Sequence, residues 1–238
     1  MKTFVEVVAR PGPGGRTALP VVHASGQLAV RRTGPTSVHL VATAFGPLGG
    51  DDAEVSLVVE EGASLTVRSV AAAIALPSRG EVLPSAQRIT ASVGGTLDLG
   101  LEPTVVAACA HHLAELTVEL GAAGALTATE QVLLGRTGEE PGRWTGTVRV
   151  ARDGRPLLHT TVGLGPGQAA WLPPVAPRAY ASTVHIGNHE TNDVLTGEDA
   201  VRLPLPGGWV ATAWGTDLHR VVRAAVALIP DAPVRVPA

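Results

Sequence analysis

The chain has 238 residues, 45% of them hydrophobic and 16% charged, which is the composition of a folded domain with ample core material and not of a disordered segment. Aromatic residues make up only 3%, so Ala, Val and Leu must fill the core. A net charge of −3, with scattered arginines and no basic patch interleaved with aromatics, excludes an electrostatic nucleic-acid or anionic-membrane binder.

The N-terminal residues 1–7 alternate in polarity and lack the continuous apolar stretch of a signal peptide. No long uncharged apolar run follows, so no membrane span is expected. Cys109 is the single cysteine and has no intrachain disulfide partner, which fits a reducing compartment; a cytoplasmic location is the expectation.

From there the chain reads as short Val/Thr/Leu-rich runs punctuated by Gly and Pro, the pattern of strands joined by turns. The runs are 37–43, 54–60, 64–68, 87–93, 96–101, 114–120, 125–133, 143–152 and 156–164. In 143–152, Trp144, Gly146, Val148 and Val150 fall on one face, and Arg143, Thr145, Thr147 and Arg149 on the other, as in a half-buried strand. Asp153-Gly154 is the turn of a hairpin into the next run.

A weak repeat runs through the middle. Val55-Ser-Leu-Val-Val-Glu-Glu-Gly-Ala-Ser-Leu65 has a counterpart in Ile89-Thr-Ala-Ser-Val-Gly-Gly-Thr-Leu97 and a looser one in Leu116-Thr-Val-Glu-Leu-Gly-Ala-Ala-Gly-Ala-Leu126. Gly62, Gly94 and Gly121 stand at comparable points, roughly thirty residues apart. Each unit reads as strand, Gly turn, strand, and stacked units of that kind bury a continuous core in a β-helix-like layered structure. Recurrent Gly-Ala turns in an ordinary β protein give the same pattern.

Helices are few. Residues 217–229 carry an apolar face of Leu218, Val221, Val222, Ala225, Leu228 and Ile229, with Thr216 as N-cap, Asp217 in the first turn and Pro230 as stop. The Ala-rich 71–76 predicts a short second helix ended by Pro77. Residues 169–180, with Pro173, Pro174 and Pro177, predict an irregular crossover, and 231–238 a frayed tail. The fold class is therefore mostly β, a layered β-sandwich or β-helix-like architecture with few helices, including a C-terminal amphipathic one. One domain over 1–238 is expected, with a soft boundary near 165–180.

The catalytic motifs are missing. The chain has no P-loop and no Gly-x-Ser-x-Gly elbow, and Gly163-Leu-Gly-Pro-Gly167 has the wrong spacing for a dinucleotide loop. His185-Ile-Gly-Asn-His189 would share a helical face, but Gly187 and Asn188 favour a turn. Cys109-Ala-His111-His112 holds good ligands for Ni²⁺ or Zn²⁺, and on a strand Cys109 and His111 would point the same way. Two such ligands make a weak, transient site, or else a small buried Cys beside exposed histidines. Gly46-Pro-Leu-Gly-Gly-Asp51-Asp52 presents paired carboxylates from a tight turn, or is a loop capped by an Asx-turn. Gly135-Arg-Thr-Gly-Glu-Glu140, near Arg143, is a solvated loop or a protein-contact surface.

Taken in order, these strings resemble the urease accessory protein UreD (UreH) family. The resemblance is carried by Gly46-Pro-Leu-Gly-Gly-Asp51, Gly62-Ala-Ser-Leu65, Ser69-Val-Ala-Ala-Ala-Ile74, Gly95-Thr-Leu-Asp-Leu-Gly-Leu-Glu-Pro103, Glu130-Gln-Val-Leu-Leu-Gly-Arg136, Gly138-Glu139 and the C-terminal helix. Pro47 stands where the family's second Gly would be, 75–79 is shorter and more apolar than usual, and 105–112 lacks the usual Phe. The resemblance implies a mostly β, layered scaffold without turnover chemistry, which binds apo-urease and UreF, meets the GTPase UreG through UreF, and helps deliver nickel to the urease active site. It also implies no permanently bound cofactor, only transient Ni²⁺. Asp51, Asp52, Cys109 and His111 are the candidate transient nickel residues, and Glu102, Glu130, Arg136 and Glu139 candidates for a tunnel or an interface. The competing readings are a β-rich adaptor unrelated to urease and a metal-assisted hydrolase built on His185 and His189.

Overall fold

Period-two alternation of apolar residues becomes strands with one buried face, and two such sheets pack face to face. The computed structural model describes residues 1–81, 83–168, 176–187 and 193–229. Its strands are β1 (Lys2–Pro11), β2 (Thr17–Ser25), β3 (Leu28–Arg32), β4 (Ser37–Ala42), β5 (Asp52–Val59), β6 (Ser64–Ser69), β7 (Ala73–Ala75), β8 (Ser85–Val93) and β9 (Thr96–Gly100). They continue as β10 (Thr104–Val106), β11 (His111–Leu120), β12 (Ala125–Leu134), β13 (Arg143–Arg152), β14 (Arg155–Leu164), β15 (Ala179–Ile186), β16 (Leu195–Thr196), β17 (Ala200–Leu205) and β18 (Gly208–Gly215), followed by helix α1 (Leu218–Ala227).

The first sheet runs β14-β13-β11-β8-β5-β1-β2; its inner five strands are parallel and its two edge strands antiparallel. The second runs β16-β17-β18-β15-β12-β9-β6-β4-β3, with β7 and β10 attached beside β12. Its parallel part is β12-β9-β6-β4.

The expected repeat is the organising unit. β5 to β6, β8 to β9 and β11 to β12 each step from the first sheet to the second through a glycine turn. Equivalent residues stack in register: Leu57, Ala91 and Val118 on the first sheet, and Leu65, Leu97 and Leu126 on the second. The turns stack through their backbones, Gly94 N–H donating to the Val59 carbonyl at 2.7 Å and Gly121 N–H to that of Val93 at 2.9 Å. This closeness is why glycine recurs: a Cβ on Gly95 would lie 2.1 Å from the Ala63 oxygen.

Between the sheets lies a large apolar cluster that includes those stacked residues, and a smaller one of Ala75, Val106, Ala110, Val132, Leu134, Trp144, Leu164 and Tyr180. A third, under α1, packs Val221 and Ala225 on Ala179, Ala181, Ala200 and Ala213.

The strand expectations hold with small shifts at the ends. β13 matches its expected span, its buried face carries Trp144, Gly146 and Val150, and the hairpin turn has positive φ at both Asp153 (48°) and Gly154 (74°). The expected helix at 71–76 is corrected: the segment holds β7, paired in parallel with β10, so tertiary pairing overrides the helix preference of alanine. The cap of α1 is Asp217, whose carboxylate accepts the Arg220 N–H at 2.9 Å, and not Thr216. Of the expected crossover, 169–175 lie outside the described residues and Ala179 already begins β15, which pairs with β12; the tail 231–238 also lies outside.

Candidate functional site

On β12 the residues Leu126, Ala128, Val132 and Leu134 face the space between the sheets and are buried. The same alternation gives that inward direction to Glu130. Its cross-strand neighbour on β15 is Ser182, flanked on the same face by Tyr180 and Val184. The first sheet offers little bulk at this level, placing Gln87, Ala114 and Gly146 side by side. Gly146 has no room for a side chain, because the Trp144 indole occupies the place a Cβ would take. Trp144 in turn packs on Tyr180, ring centroids 5.3 Å apart at 40°.

Small groups facing small groups leave a cavity of about 70 Å³, enough for more than one water. Ile89, Leu99, Ala128 and Val184 of the large apolar cluster form one end of its wall, and Glu130, Ser182 and Gln87 supply polar lining. Beyond Glu130 along β12 comes Val132 of the smaller cluster, so a polar layer interrupts the core.

Glu130 keeps some contact with the cavity and is half-buried by surface area, yet protein surrounds it, and loss of hydration pushes its carboxyl up to about 8. At neutral pH Glu130 is therefore mostly protonated. Tyr180 is pushed up to about 12 by burial, then by the charge of Glu130, against the hydrogen bonds it makes with Ser182 and Thr212. Ser182 Oγ and Thr212 Oγ1 are themselves 3.3 Å apart. A carboxyl and three hydroxyls thus share one region, hard oxygen groups suited to water or a weakly held cation.

The other residues named from sequence are dispersed. Asp51 is buried in its own loop, where its carboxylate pairs with the Met1 amino group and accepts from Gln27 Nε2 and the Leu48 N–H, each at 2.9 Å. Burial raises its pKa, but these bonds together outweigh burial and hold it below the usual value. Asp52 pairs with Arg88, which also approaches Glu115 at 3.9 Å. Glu102 is exposed on the cavity wall, its N–H donating to Ser69 Oγ at 2.8 Å.

Cys109 is exposed on a turn with φ of 62°, before β11 begins at His111, so the two do not share a strand face. His111 Nε2 is buried without a hydrogen-bond partner, and burial followed by the nearby Arg143 charge lowers its pKa. Arg136 and Glu139 form a 2.6 Å ion pair within their loop, and its hydrogen bonds bring Glu139 down to about 2. Arg178 donates to the Glu139 carbonyl at 2.5 Å and pins that loop. His185 lies on β15, 3.0 Å from Thr127 Oγ1 and stacked on Trp209, while His189 lies outside the described residues. Among the described residues no three His, Cys, Asp or Glu side chains converge as a metal cluster.

Sequence reasoning named His112 only beside Cys109 and His111, and its alternative of a buried Cys beside exposed histidines is reversed for Cys109 and His112. His112 is 2% exposed, its Nδ1 is 2.9 Å from Ser85 Oγ, and burial, then the neighbouring His111, takes its pKa down to about 4. The signal was present, since His112 falls in phase with the buried Val118 and Leu120. Tyr180 and Ser182 had no such signal, because the proline-rich approach hid the start of β15.

The profile described as UreD urease accessory protein matches residues 4–230. A Urease accessory protein UreD of Frankia alni is 38% identical over 217 residues, covering 81% of this chain and 72% of that protein. A Urease accessory protein UreD of Streptomyces avermitilis is 32% identical over 244 residues, covering 98% of this chain and 92% of its own. Another, Urease accessory protein UreD 1 of Saccharopolyspora erythraea, is 34% identical over 180 residues, covering 74% and 70%. With a profile match over almost its whole length, the chain belongs to the UreD family of urease accessory proteins.

Proposed function

We propose that the chain is a non-catalytic scaffold of urease maturation in the cytoplasm, binding apo-urease and UreF, meeting UreG through UreF, and passing Ni²⁺ towards the urease active site. The observation that carries the nickel part is Glu130: a desolvated carboxyl in a cavity between two apolar clusters, with the Ser182 hydroxyl beside it and, among the described residues, no cluster of three His, Cys, Asp or Glu side chains that would hold a metal tightly. A relay needs fleeting affinity, and a closed four-ligand site would hold Ni²⁺ too tightly to release it. A carboxyl with a pKa of about 8 must lose its proton to take a cation, so loading is coupled to proton release, and reprotonation favours letting go.

The scaffold part is supported by exposed apolar side chains around the 45–50 loop. Phe45 is 94% exposed, and Leu48, Ile74 and Leu83 are exposed as well. No helix is long and apolar enough to cross a membrane among the described residues.

The test is genetic and analytical. With the gene deleted from its host, urease protein is expected to persist but to be nickel-poor and inactive, and restoring the gene repairs it. Restoring Glu130→Gln is expected to leave urease with at most a tenth of its nickel under limiting supply. Urease that stays fully metallated without this chain would sink the proposal.

A further inference from the structure

The two sheets differ in width on one side. The glycine turns set β5 over β6, β8 over β9 and β11 over β12. Outward from that last pair the first sheet adds only β13 and β14, while the second adds β15, β18, β17 and β16. The second sheet therefore overhangs the edge of β14 by two strands, about 10 Å. The overhang leaves core-facing side chains uncovered. On β17, Ala200 lies under α1 on the outer face, so Val201, Leu203 and Leu205 point to the inner one. Leu203 stands opposite Val210, which packs on the large apolar cluster, yet Leu203 is 43% exposed. On β14 the inward Leu158 and Val162 are only partly buried.

The edge above this ledge is open. Among the described residues no strand pairs with the free side of β14, and the other sheet edges each carry a feature that blocks strand addition. β2 has Pro20 where its register against β1 shifts, between Val8 and Arg10; β3 is short and ends in Arg31-Arg32; β16 has two residues. β14 differs. From Leu158 to Leu164 it contains no proline, Lys, Arg, Asp or Glu, and its register shift against β13 lies before that run, between Val150 and Ala151. The surroundings are basic: residues 143–164 hold four arginines against one acid, Asp153, and Arg143, Arg149 and Arg155 are exposed. We propose that β14 takes up one extended segment of another protein as an added strand, apolar at the positions over Leu203 and acidic at the alternate, solvent-facing ones. The backbone edge supplies hydrogen bonds, the ledge selects the side chains, and the arginines select the charge. A second copy pairing β14 with β14 does not fit the ledge, because its own β18 would fall where β17 stands.

Two synthetic peptides test this on the full chain. One is about nine residues long and alternates valine with glutamate; the other has lysine in place of glutamate. Binding is read by fluorescence anisotropy, and amide hydrogen exchange by NMR. In the chain alone, alternate amides of 158–164 are expected to exchange freely. The glutamate peptide is expected to bind and to slow them at least tenfold. Arg149→Glu with Arg155→Glu, both at exposed positions, is expected to weaken the glutamate peptide at least tenfold and to reverse the preference in favour of the lysine peptide. Leu203→Ser, on the floor of the ledge, is expected to weaken the glutamate peptide severalfold, with circular dichroism to confirm the fold of each variant. Amides already protected in the dilute chain would mean that the chain fills its own edge. Protection that grows with protein concentration would mean that a second copy fills it. No binding, binding without slowing at 158–164, or equal affinity for the two peptides would remove β14 as the recognition edge. Each of these results overturns the proposal.

Discussion

Two stretches of the same strand face, one apolar and one polar, divide the interior. Leu126 and Ala128 meet the stacked Leu97 and Leu99 in the large apolar cluster, whose last layer, Ala128 and Leu99, forms the apolar end of the cavity wall. Two residues further along β12, Glu130 faces Ser182 and a cavity. Both lie on the same strand, but Leu126 and Ala128 are paired with β9, whereas the pairing lapses between Thr129 and Val132. The turns account for the difference: where glycine turns stack at van der Waals distance, each layer repeats the last and large aliphatic residues align. At the other end the return segments 70–84 and 101–110 are longer and unlike one another, the ladder lapses, and the layers cease to match. The repeat makes the stacked apolar half, and the departure from the repeat makes the half that holds Glu130 and its cavity.

The largest effect is expected where the layers match best. Leu97 is fully buried between Leu65 and Leu126, and Leu97→Ala removes contacts from both neighbours at once. A loss of about 2–5 kcal/mol in unfolding free energy is expected by urea denaturation, the range for a large-to-small change in a core that cannot collapse. A loss below about 1 kcal/mol would mean that the stacked half is not the rigid one.

The polar half should answer to pH instead. The folded pKa of Glu130, about 8, is raised above its unfolded value, near 4.5. Between those values the native state binds the extra proton, so its contribution is fully present below pH 4.5 and is lost as pH rises through 8. Glu130→Gln removes that loss and should flatten the stability profile from pH 6 to 9, with a gain at pH 9 of roughly a few kcal/mol at most, because cavity water softens the burial penalty. His112 acts with the opposite sign: its folded pKa of about 4 lies below its usual 6.5, so its contribution is present above pH 6.5 and lost as pH falls through 4. The Gln variant should therefore keep the acid limb and lose the alkaline one. An alkaline limb that survives in it would show that Glu130 is not the group buried at cost.

How much of this was legible follows the same division. The repeat was readable because Gly62, Gly94 and Gly121, with Leu65, Leu97 and Leu126, recur as residue types and end up stacked. The inward direction of Glu130 was also written in the alternation of 125–133, since it is in phase with Leu126, Ala128 and Val132. The cavity was not, because it depends on what faces Glu130 from elsewhere: Ala114 and Gly146 from the first sheet, Tyr180 and Ser182 from beyond a proline-rich stretch. Nor was β7, whose alanines say helix and whose pairing with β10 is set by a segment thirty residues away in roughly one repeat's spacing. Cys109 and His111 looked like a pair because sequence proximity was read as a shared strand, and a left-handed turn at Cys109 separates them.

The smallest effect expected lies outside both halves, at α1. The helix covers the outer face of the second sheet behind Ala179, Ala181 and Ala213, with Val221 and Ala225 as its buried contacts. Its first turn contains no acidic residue, so Asp217, outside it, provides the side-chain cap by accepting the Arg220 N–H. Asp217→Ala leaves that N–H to water and removes a negative charge from the positive end of the helix dipole, a cost of about 1 kcal/mol. Asp217→Asn keeps the acceptor and loses only the charge, so it should recover at least half of that in a thermal melt. Because α1 lies against the outer face of the second sheet, on the side away from Glu130 and Ser182, the change of stability between pH 6 and 9 should be the same with and without the cap. An altered pH dependence would mean that the helix holds the sheet around Glu130 in shape, and the boundary between the two regions would then have to be drawn through β15, the strand that carries α1 on one face and Ser182 on the other.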